Sequence, residues 1–171
     1  RNQYFSDLQQ GNIIGSFGLT EADSGSNVSA MKTTATKSNN DYILNGSKTW
    51  ITNAPIADLF VIWAKCDNKV NGFIVDRNEK GLETTTITNK LSMNNTSTGM
   101  IFLDNCKIPS TNRLDVVGLR GPLSSLNSAR IGVSIGSLGA AEACIDIALD
   151  YSKNRTLFGN LLCEKQLVQS K

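Results

Sequence analysis

The chain has 171 residues, 40% of them apolar, and sets 17 basic side chains against 15 acidic ones for a net charge of +2. This length suits one domain, or one domain with part of another, and the apolar content excludes a disordered chain. Charges of both signs are interspersed, without the clustered Lys and Arg of a nucleic-acid footprint, and no charge-free apolar stretch reaches the roughly 18 residues of a membrane span.

Four cysteines, Cys66, Cys106, Cys144 and Cys163, form no CxxC pair, and the chain has no histidine. That excludes the usual zinc spacings and any His-based triad. The cysteines sit in apolar settings such as WAKC and EACI, so they are expected to be reduced, small, buried hydrophobes. The first residue is Arg1 rather than Met, which suggests a chain trimmed or begun partway.

Residues 1–11 place Tyr4, Phe5 and Leu8 at helical spacing before Gly11, like the tail of a helix. From Asn12 to about Cys106 short runs rich in Ile, Val, Thr and aromatics follow: Asn12–Leu19, Ala30–Thr36, Tyr42–Leu44, Lys48–Thr52, Leu59–Lys65, Asn71–Val75, Glu83–Thr88 and Met100–Leu103. Asn39-Asn40, Asn45-Gly46, Asp67-Asn68 and Arg77-Asn78 punctuate them as turns, the pattern of an antiparallel barrel or sandwich. Pro109 to Arg120 breaks this pattern and reads as a boundary. Beyond Gly118 the period changes to three and four through Leu123, Leu126, Ala129, Val133, Gly136, Ala140, Cys144 and Ile147, which predicts a helix of roughly nine turns. A further helix is expected from Leu161 to Ser170, so both ends read as unfinished.

Ser16–Asn27, SFGLTEADSGSN, has two readings on composition alone. Gly18 and Gly25 allow a close backbone approach, and Thr20, Ser24 and Ser26 offer hydroxyls and main-chain donors, which together suit one wall of a cofactor site. The same residues also make an ordinary polar surface loop.

Four segments in order, SFGLTEADSGSN at 16–27, LNGSKTWITNAPIADLFVIWAK at 44–65, GPLSSLNSARIG at 121–132 and RTLFGNLLCEKQ at 155–166, resemble the acyl-CoA dehydrogenase family over essentially the whole chain. Among its members they are most similar to those that decarboxylate glutaryl-CoA to crotonyl-CoA in lysine and tryptophan degradation. The resemblance implies an α+β chain: the tail of an N-terminal helical domain (1–11), a middle β-domain (12–117), and the first helix and part of the second of a C-terminal four-helix bundle (118–171). It implies FAD as cofactor, an acyl-CoA substrate, electron-transfer flavoprotein as electron acceptor and a homotetramer. The compartment would be the mitochondrial matrix in a eukaryote and the cytoplasm in a bacterium.

By the same resemblance Phe17, Gly18, Leu19, Thr20, Gly25 and Ser26 contact the flavin, with Leu19 and Thr20 at its pyrimidine edge and Ser26 near pyrophosphate or CoA. Trp50, Ile51 and Thr52 form the second wall. Leu123, Leu126, Asn127 and Arg130 line the CoA segment, with Arg130 pairing a phosphate or carboxylate. Arg155, Phe158 and Gln166 reach the FAD of a neighbouring subunit. The general-base glutamate would lie beyond Lys171, since Glu21, Glu142 and Glu164 do not match it, and the chain alone is then expected to be inactive. Three positions depart from the family pattern: Ala22 replaces a proline and leaves the turn after Glu21 less rigid, Asn27 replaces an aspartate, and Asn94 replaces an arginine. Three rival readings stand beside this one: a straight- or branched-chain acyl-CoA dehydrogenase or oxidase, a non-catalytic β-barrel interaction module, and a purely structural β-sandwich that binds nothing.

Overall fold

The computed structural model describes residues 4–171; Arg1–Gln3, the first part of the expected helix tail, lie outside the described residues. The chain divides into two compact units, Arg1–Ser124 and Ser125–Lys171.

The first unit opens with α1 (Phe5–Gln10), stopped by Gly11 in the left-handed conformation at φ 74°, whose N–H caps Asp7 and Leu8 carbonyls. Eight strands follow: β1 (Gly15–Gly18), β2 (Thr34–Ser38), β3 (Asp41–Thr52), β4 (Leu59–Cys66), β5 (Lys69–Asp76), β6 (Leu82–Thr86), β7 (Thr98–Pro109) and β8 (Arg113–Val117). They form one sheet in the order β6-β7-β3-β2-β4-β5-β8, with β1 added beside β4. The sheet is mixed rather than purely antiparallel. β5 takes one whole edge of β4, and the other edge is shared by β1 and β2, which both run parallel to β4. The β4–β5 hairpin turns at Asp67-Asn68, where φ values of 50° and 60° give the primed turn that matches strand twist. Leu44, Phe60, Ile62, Phe73, Val75, Leu103, Cys106 and Ile108 fill a common core from both halves of the sheet.

Tyr42–Leu44 and Lys48–Thr52 are not separate strands. They belong to the single 12-residue β3, and Asn45-Gly46 marks a bulge instead of a turn. Pairing with β7 continues past it, held by the Asn105 N–H donating to Asn45 Oδ1 at 2.8 Å. Gly46 has φ 143°, and a Cβ there would lie 2.7 Å from Thr33 Cα, so a side chain has no room. The extra residue in the ladder lies on β7 here and on β3 at a second slip between Lys48 and Ile51. Two further expectations change. Ala30–Thr36 begins as a single 3₁₀ turn at Val28–Ala30, and the stretch read as a boundary contains β8, which pairs with β5. Gly121 and Pro122, in the first turn of the next helix, are buried; a Cβ on Gly121 would sit 2.5 Å from the Trp63 ring, so glycine lets that turn approach the sheet.

α2 (Arg120–Asn154) runs 35 residues, as its period predicts, and carries most of the second unit. Ile131, Ile135, Leu138, Ile145 and Leu149 form one exposed apolar row, with Val133 and Ile147 on another side. A helix apolar on more than one side is one enclosed by other protein or by lipid, and by length and composition alone α2 suits a membrane span, with a mean hydropathy of 1.4. After it, the expected helix from Leu161 is largely replaced. Leu161 belongs to β10 (Asn160–Leu161), which pairs with β9 (Thr156–Leu157) as a short hairpin, Leu162–Glu164 make a 3₁₀ turn, and only Gln166–Gln169, α3, is α-helical. Phe158 and Gly159, at φ 52° and 79°, make the two-residue turn that redirects the chain. Cys66 and Cys106 are buried as expected, while Cys144 is exposed on α2 and Cys163 half-buried; all four are free thiols.

Candidate functional site

The two stretches singled out in the sequence, 16–27 and 48–52, meet at one end of β3. β1 delivers Ser16, whose hydroxyl donates to the Thr52 carbonyl at 2.7 Å. Thr49 N–H donates to the Thr20 carbonyl at 3.0 Å. Between these, Lys48 reaches through the interior and its ammonium donates to the Leu19 carbonyl at 3.0 Å and to Glu21 Oε1 at 2.9 Å.

Lys48 is fully buried and Glu21 is 7% exposed. Two main-chain N–H groups also donate to the carboxylate, Lys32 at 2.5 Å on Oε2 and Thr33 at 3.0 Å on Oε1. Burial alone would push the Glu21 carboxyl up, but the donors from Lys32, Lys48 and Thr33 outweigh it and hold it at about 2. Burial lowers Lys48 from the usual lysine value, against the opposing pull of Glu21. Beyond Glu21 the loop is ordered without the expected proline: Glu21 and Ser24 exchange main-chain hydrogen bonds of 3.1 Å, and the Ser24 hydroxyl donates to the Asn27 carbonyl at 2.7 Å.

Trp50 lies in the second bulge of β3 at φ 59°, a left-handed conformation that is uncommon for a bulky residue. It is 63% exposed, so its indole stands on the surface beside the Thr20 segment. Thr52, two residues on, is exposed, and Thr20 half-buried. Leu19 and Ile51 are buried in the core, which leaves only their main chain on this surface. Phe17 is half-buried against Trp63, ring centres 6.1 Å apart. Gly18 has an internal reason to be glycine, because a Cβ would lie 2.7 Å from Ile62 Cδ1 and 3.4 Å from Lys48 Cγ. Gly25 and Ser26 are exposed farther along the loop, with open space around Gly25. On the far side, Arg77 ties down the chain after Thr52: Nε donates to the Ala57 carbonyl and Nη2 to the Ala54 carbonyl, both at 2.7 Å, and Nη1 to Thr84 Oγ1 at 2.8 Å.

The sequence alone assigns no role to Lys48, Ser16 or Arg77, and Glu21 enters it only as a carboxylate that does not match the base. One signal was available for Lys48. It stands four residues after Leu44, on the same side of a strand whose Leu44 faces inward, and a buried lysine must find an acid. Cavities of about 420 and 290 Å³ share Tyr42 and Arg113 near the opposite end of β3, and none of residues 16–27 or 48–52 lines them. Among the described residues no cluster of acidic or sulfur ligands is set to hold a metal.

The remaining candidates lie on α2 and in the segments that follow it. Leu123 is exposed near the start of α2. In the second unit Leu126 is half-buried, and Arg130 donates through Nη1 to Asn127 Oδ1. Arg155 is fixed through its main chain, its N–H bonded to the Tyr151 carbonyl at 2.9 Å and its carbonyl accepting from Leu162 at 2.8 Å. Phe158 caps the hairpin turn with 93% of its surface exposed, and Gln166 opens α3, exposed.

Residues 16–106 match the family description "Acyl-CoA dehydrogenase, middle domain" and residues 117–171 match "Acyl-CoA dehydrogenase, C-terminal domain". The second match covers α2, and explains its apolar surface as that of a helix within a protein domain. The chain is 37% identical to glutaryl-CoA dehydrogenase of Desulfococcus multivorans, over 99% of this chain and 45% of that protein. It is 38% identical to the mitochondrial short/branched chain specific acyl-CoA dehydrogenase of Rattus norvegicus, over 91% of this chain and 38% of that protein. In structure it superimposes on a glutaryl-CoA dehydrogenase of Mycobacterium smegmatis in complex with FADH2, with a TM-score of 0.97, 40% identity, and 99% of this chain and 44% of that one covered. The chain thus spans less than half the length of these relatives. Both parts of it match, in sequence order, and it belongs to the acyl-CoA dehydrogenase family.

Proposed function

We propose that this chain is the flavin-binding middle domain and the start of the C-terminal helical domain of an FAD-dependent acyl-CoA dehydrogenase that acts on glutaryl-CoA. The observation that carries the reading is the surface at the end of β3, where Trp50 is exposed on a left-handed backbone directly beside Thr20 and Thr52. Backbone of that kind persists where the surroundings over-determine it, and it clusters at functional sites. The donor set also fits FAD: a flat indole for the isoalloxazine face, hydroxyls on Thr20 and Thr52 for its polar edges, and main chain at Leu19 and Ile51. Bound there, the flavin would supply the acceptor for a hydride from the substrate β-carbon.

The chain's own residues then orient and polarise. Thr52 donates toward the central ring, Thr20 toward the pyrimidine edge, and main-chain N–H groups of 17–20 stabilise negative charge on that edge. Gly18 keeps the β1 end flush with the core, and Gly25 and Ser26 present main chain and hydroxyl to phosphate. Leu123, Leu126, Asn127 and Arg130 serve the CoA moiety. Arg155 meets a pyrophosphate, Phe158 an adenine, and Gln166 the same cofactor from a second subunit of a tetramer. The proton-abstracting glutamate lies beyond Lys171, so the chain by itself is inactive. Electrons leave to electron-transfer flavoprotein, in the mitochondrial matrix or a bacterial cytoplasm.

Similarity to glutaryl-CoA dehydrogenases at 37% and 40% identity supports the substrate, but a short/branched-chain relative stands at 38%. The deciding experiment assays the complete polypeptide with glutaryl-, isobutyryl-, isovaleryl- and butyryl-CoA, following flavin bleaching and carbon dioxide release. Turnover of glutaryl-CoA with stoichiometric carbon dioxide supports the proposal. Preference for a branched or straight chain without carbon dioxide release refutes the substrate, and a colourless protein that takes up no FAD refutes the flavin site.

A further inference from the structure

We propose that Glu21 and Lys48 are positioning residues: their buried ion pair sets the relative placement of Thr20 and Trp50, the two sides of the surface assigned above to the flavin. The inference rests on that assignment. Its basis is the way the hydrogen bonds run. Two successive carbonyls, of Leu19 and Thr20, are held by two successive residues of β3, the Lys48 ammonium and the Thr49 N–H, each at 3.0 Å. The next residue on β3 is Trp50. Glu21, which follows Thr20, is in turn fixed by the Lys32 and Thr33 N–H groups leading into β2 and by Lys48 at 2.9 Å. Both edges of the surface are therefore referenced to one ammonium group.

A buried ion pair is weak evidence for stability, because apolar residues of similar volume often serve as well or better. Apolar side chains already surround the Lys48 stem: Gly18 faces Lys48 Cγ, Ile62 Cδ1 and Ile101 Cδ1. What an apolar pair cannot provide is direction. It would fill the space without specifying where the Leu19 carbonyl points, and the unfavourable backbone at Trp50 would lose part of what over-determines it.

The test uses the complete polypeptide with Glu21→Gln, Lys48→Met, the double variant Glu21→Gln/Lys48→Met, and Ile108→Val as a destabilised control at the other end of β7. Three quantities are read: denaturation midpoint, amide hydrogen exchange of the apoprotein over 18–21 and 48–52, and FAD dissociation constant with the flavin absorption spectrum. The double variant separates the roles, since it removes the charge imbalance of each single change. It is expected to recover stability while still binding FAD at least tenfold more weakly, with a shifted flavin band and faster exchange at 48–52 than at 59–76. Ile108→Val is expected to bind FAD within twofold of wild type. Should the double variant regain wild-type FAD affinity, spectrum and exchange along with its stability, the pair is structural only and the proposal falls. If Lys48→Met and the double variant do not fold, Glu21→Gln decides by the same exchange and affinity criteria, because it keeps the volume and the Oε1 acceptor. A wild-type protein that binds no FAD overturns the flavin reading and this proposal together; wild-type binding with unaffected variants overturns this proposal alone.

Discussion

Position 50 should reverse the usual order of glycine and alanine. In a regular strand Gly is about 0.5–1 kcal/mol worse than Ala, because the unfolded chain loses more freedom. Trp50 is held at φ 59°, where an L residue costs about 1–2 kcal/mol and glycine almost nothing. With 63% of the residue exposed, roughly 90 Å² of a ~250 Å² side chain is covered, worth about 2 kcal/mol at ~25 cal/mol per Å². Trp50→Ala loses the burial and keeps the backbone cost, for a loss of about 2 kcal/mol. Trp50→Gly loses the same burial but relieves the backbone, which after the glycine entropy leaves a loss of about 1 kcal/mol. Both fall short of the roughly 3–5 kcal/mol expected for truncating a buried tryptophan, and Trp63→Ala, at 2% exposure, should show that larger value. Urea denaturation of the apoprotein at constant slope measures all three. If Trp50→Gly is less stable than Trp50→Ala, the backbone at 50 is not held in the left-handed region, and the argument that this residue is strained for function fails.

Gly18→Ala should destabilise by about 1–3 kcal/mol through overpacking, because the new Cβ would meet Ile62 Cδ1 at 2.7 Å inside a core where Ile62 is fully buried; a midpoint equal to wild type would show that Ile62 can move aside. Arg77→Met should cost about 3 kcal/mol, since it orphans the Ala54 and Ala57 carbonyls and removes a cation 5.0 Å above the Phe60 ring. Hydrogen exchange should then rise at 53–58 before it rises elsewhere. For Glu21 the folded carboxyl lies below its ordinary value of 4.5, at about 2. Its contribution is therefore present above pH 4.5 and lost as pH falls toward 2, and at ~1.36 kcal/mol per pKa unit it is no more than about 3 kcal/mol. Stability measured from pH 6 to pH 2.5 should fall more steeply for wild type than for Glu21→Gln, and parallel curves would refute the assignment.

Local chemistry was legible where a turn is closed by neighbours in sequence. Asp67-Asn68 reads as a hairpin and is one, because two residues at positive φ suffice to reverse the chain. Asn45-Gly46 carries the same signal and means something else. Its partner strand lies about sixty residues away, and only the continued pairing with Asn105 turns a reversal into a bulge. The parallel placement of β1 on β4 depends likewise on which edge β5 leaves open, a fact no local window contains. Phe158-Gly159 is the converse: it lies between the end of the long helix and the helix expected from Leu161, and the left-handed pair there closes a hairpin that the helical spacing on either side did not announce.

The outward-facing residues of the site were named from resemblance, and those behind them were not. Lys48 and Glu21 stand 27 positions apart, and each looks ordinary alone. Read together, the lysine on the inward phase of a strand requires an acid, and Glu21, which does not match the family's base, is that acid. The structure gives that mismatch a physical ground. A buried carboxylate receiving three donors and held at about 2 has too little proton affinity to take a proton from a substrate. The property that disqualifies Glu21 as a base, its engagement by three fixed donors, is the same one that equips it to hold a surface in place.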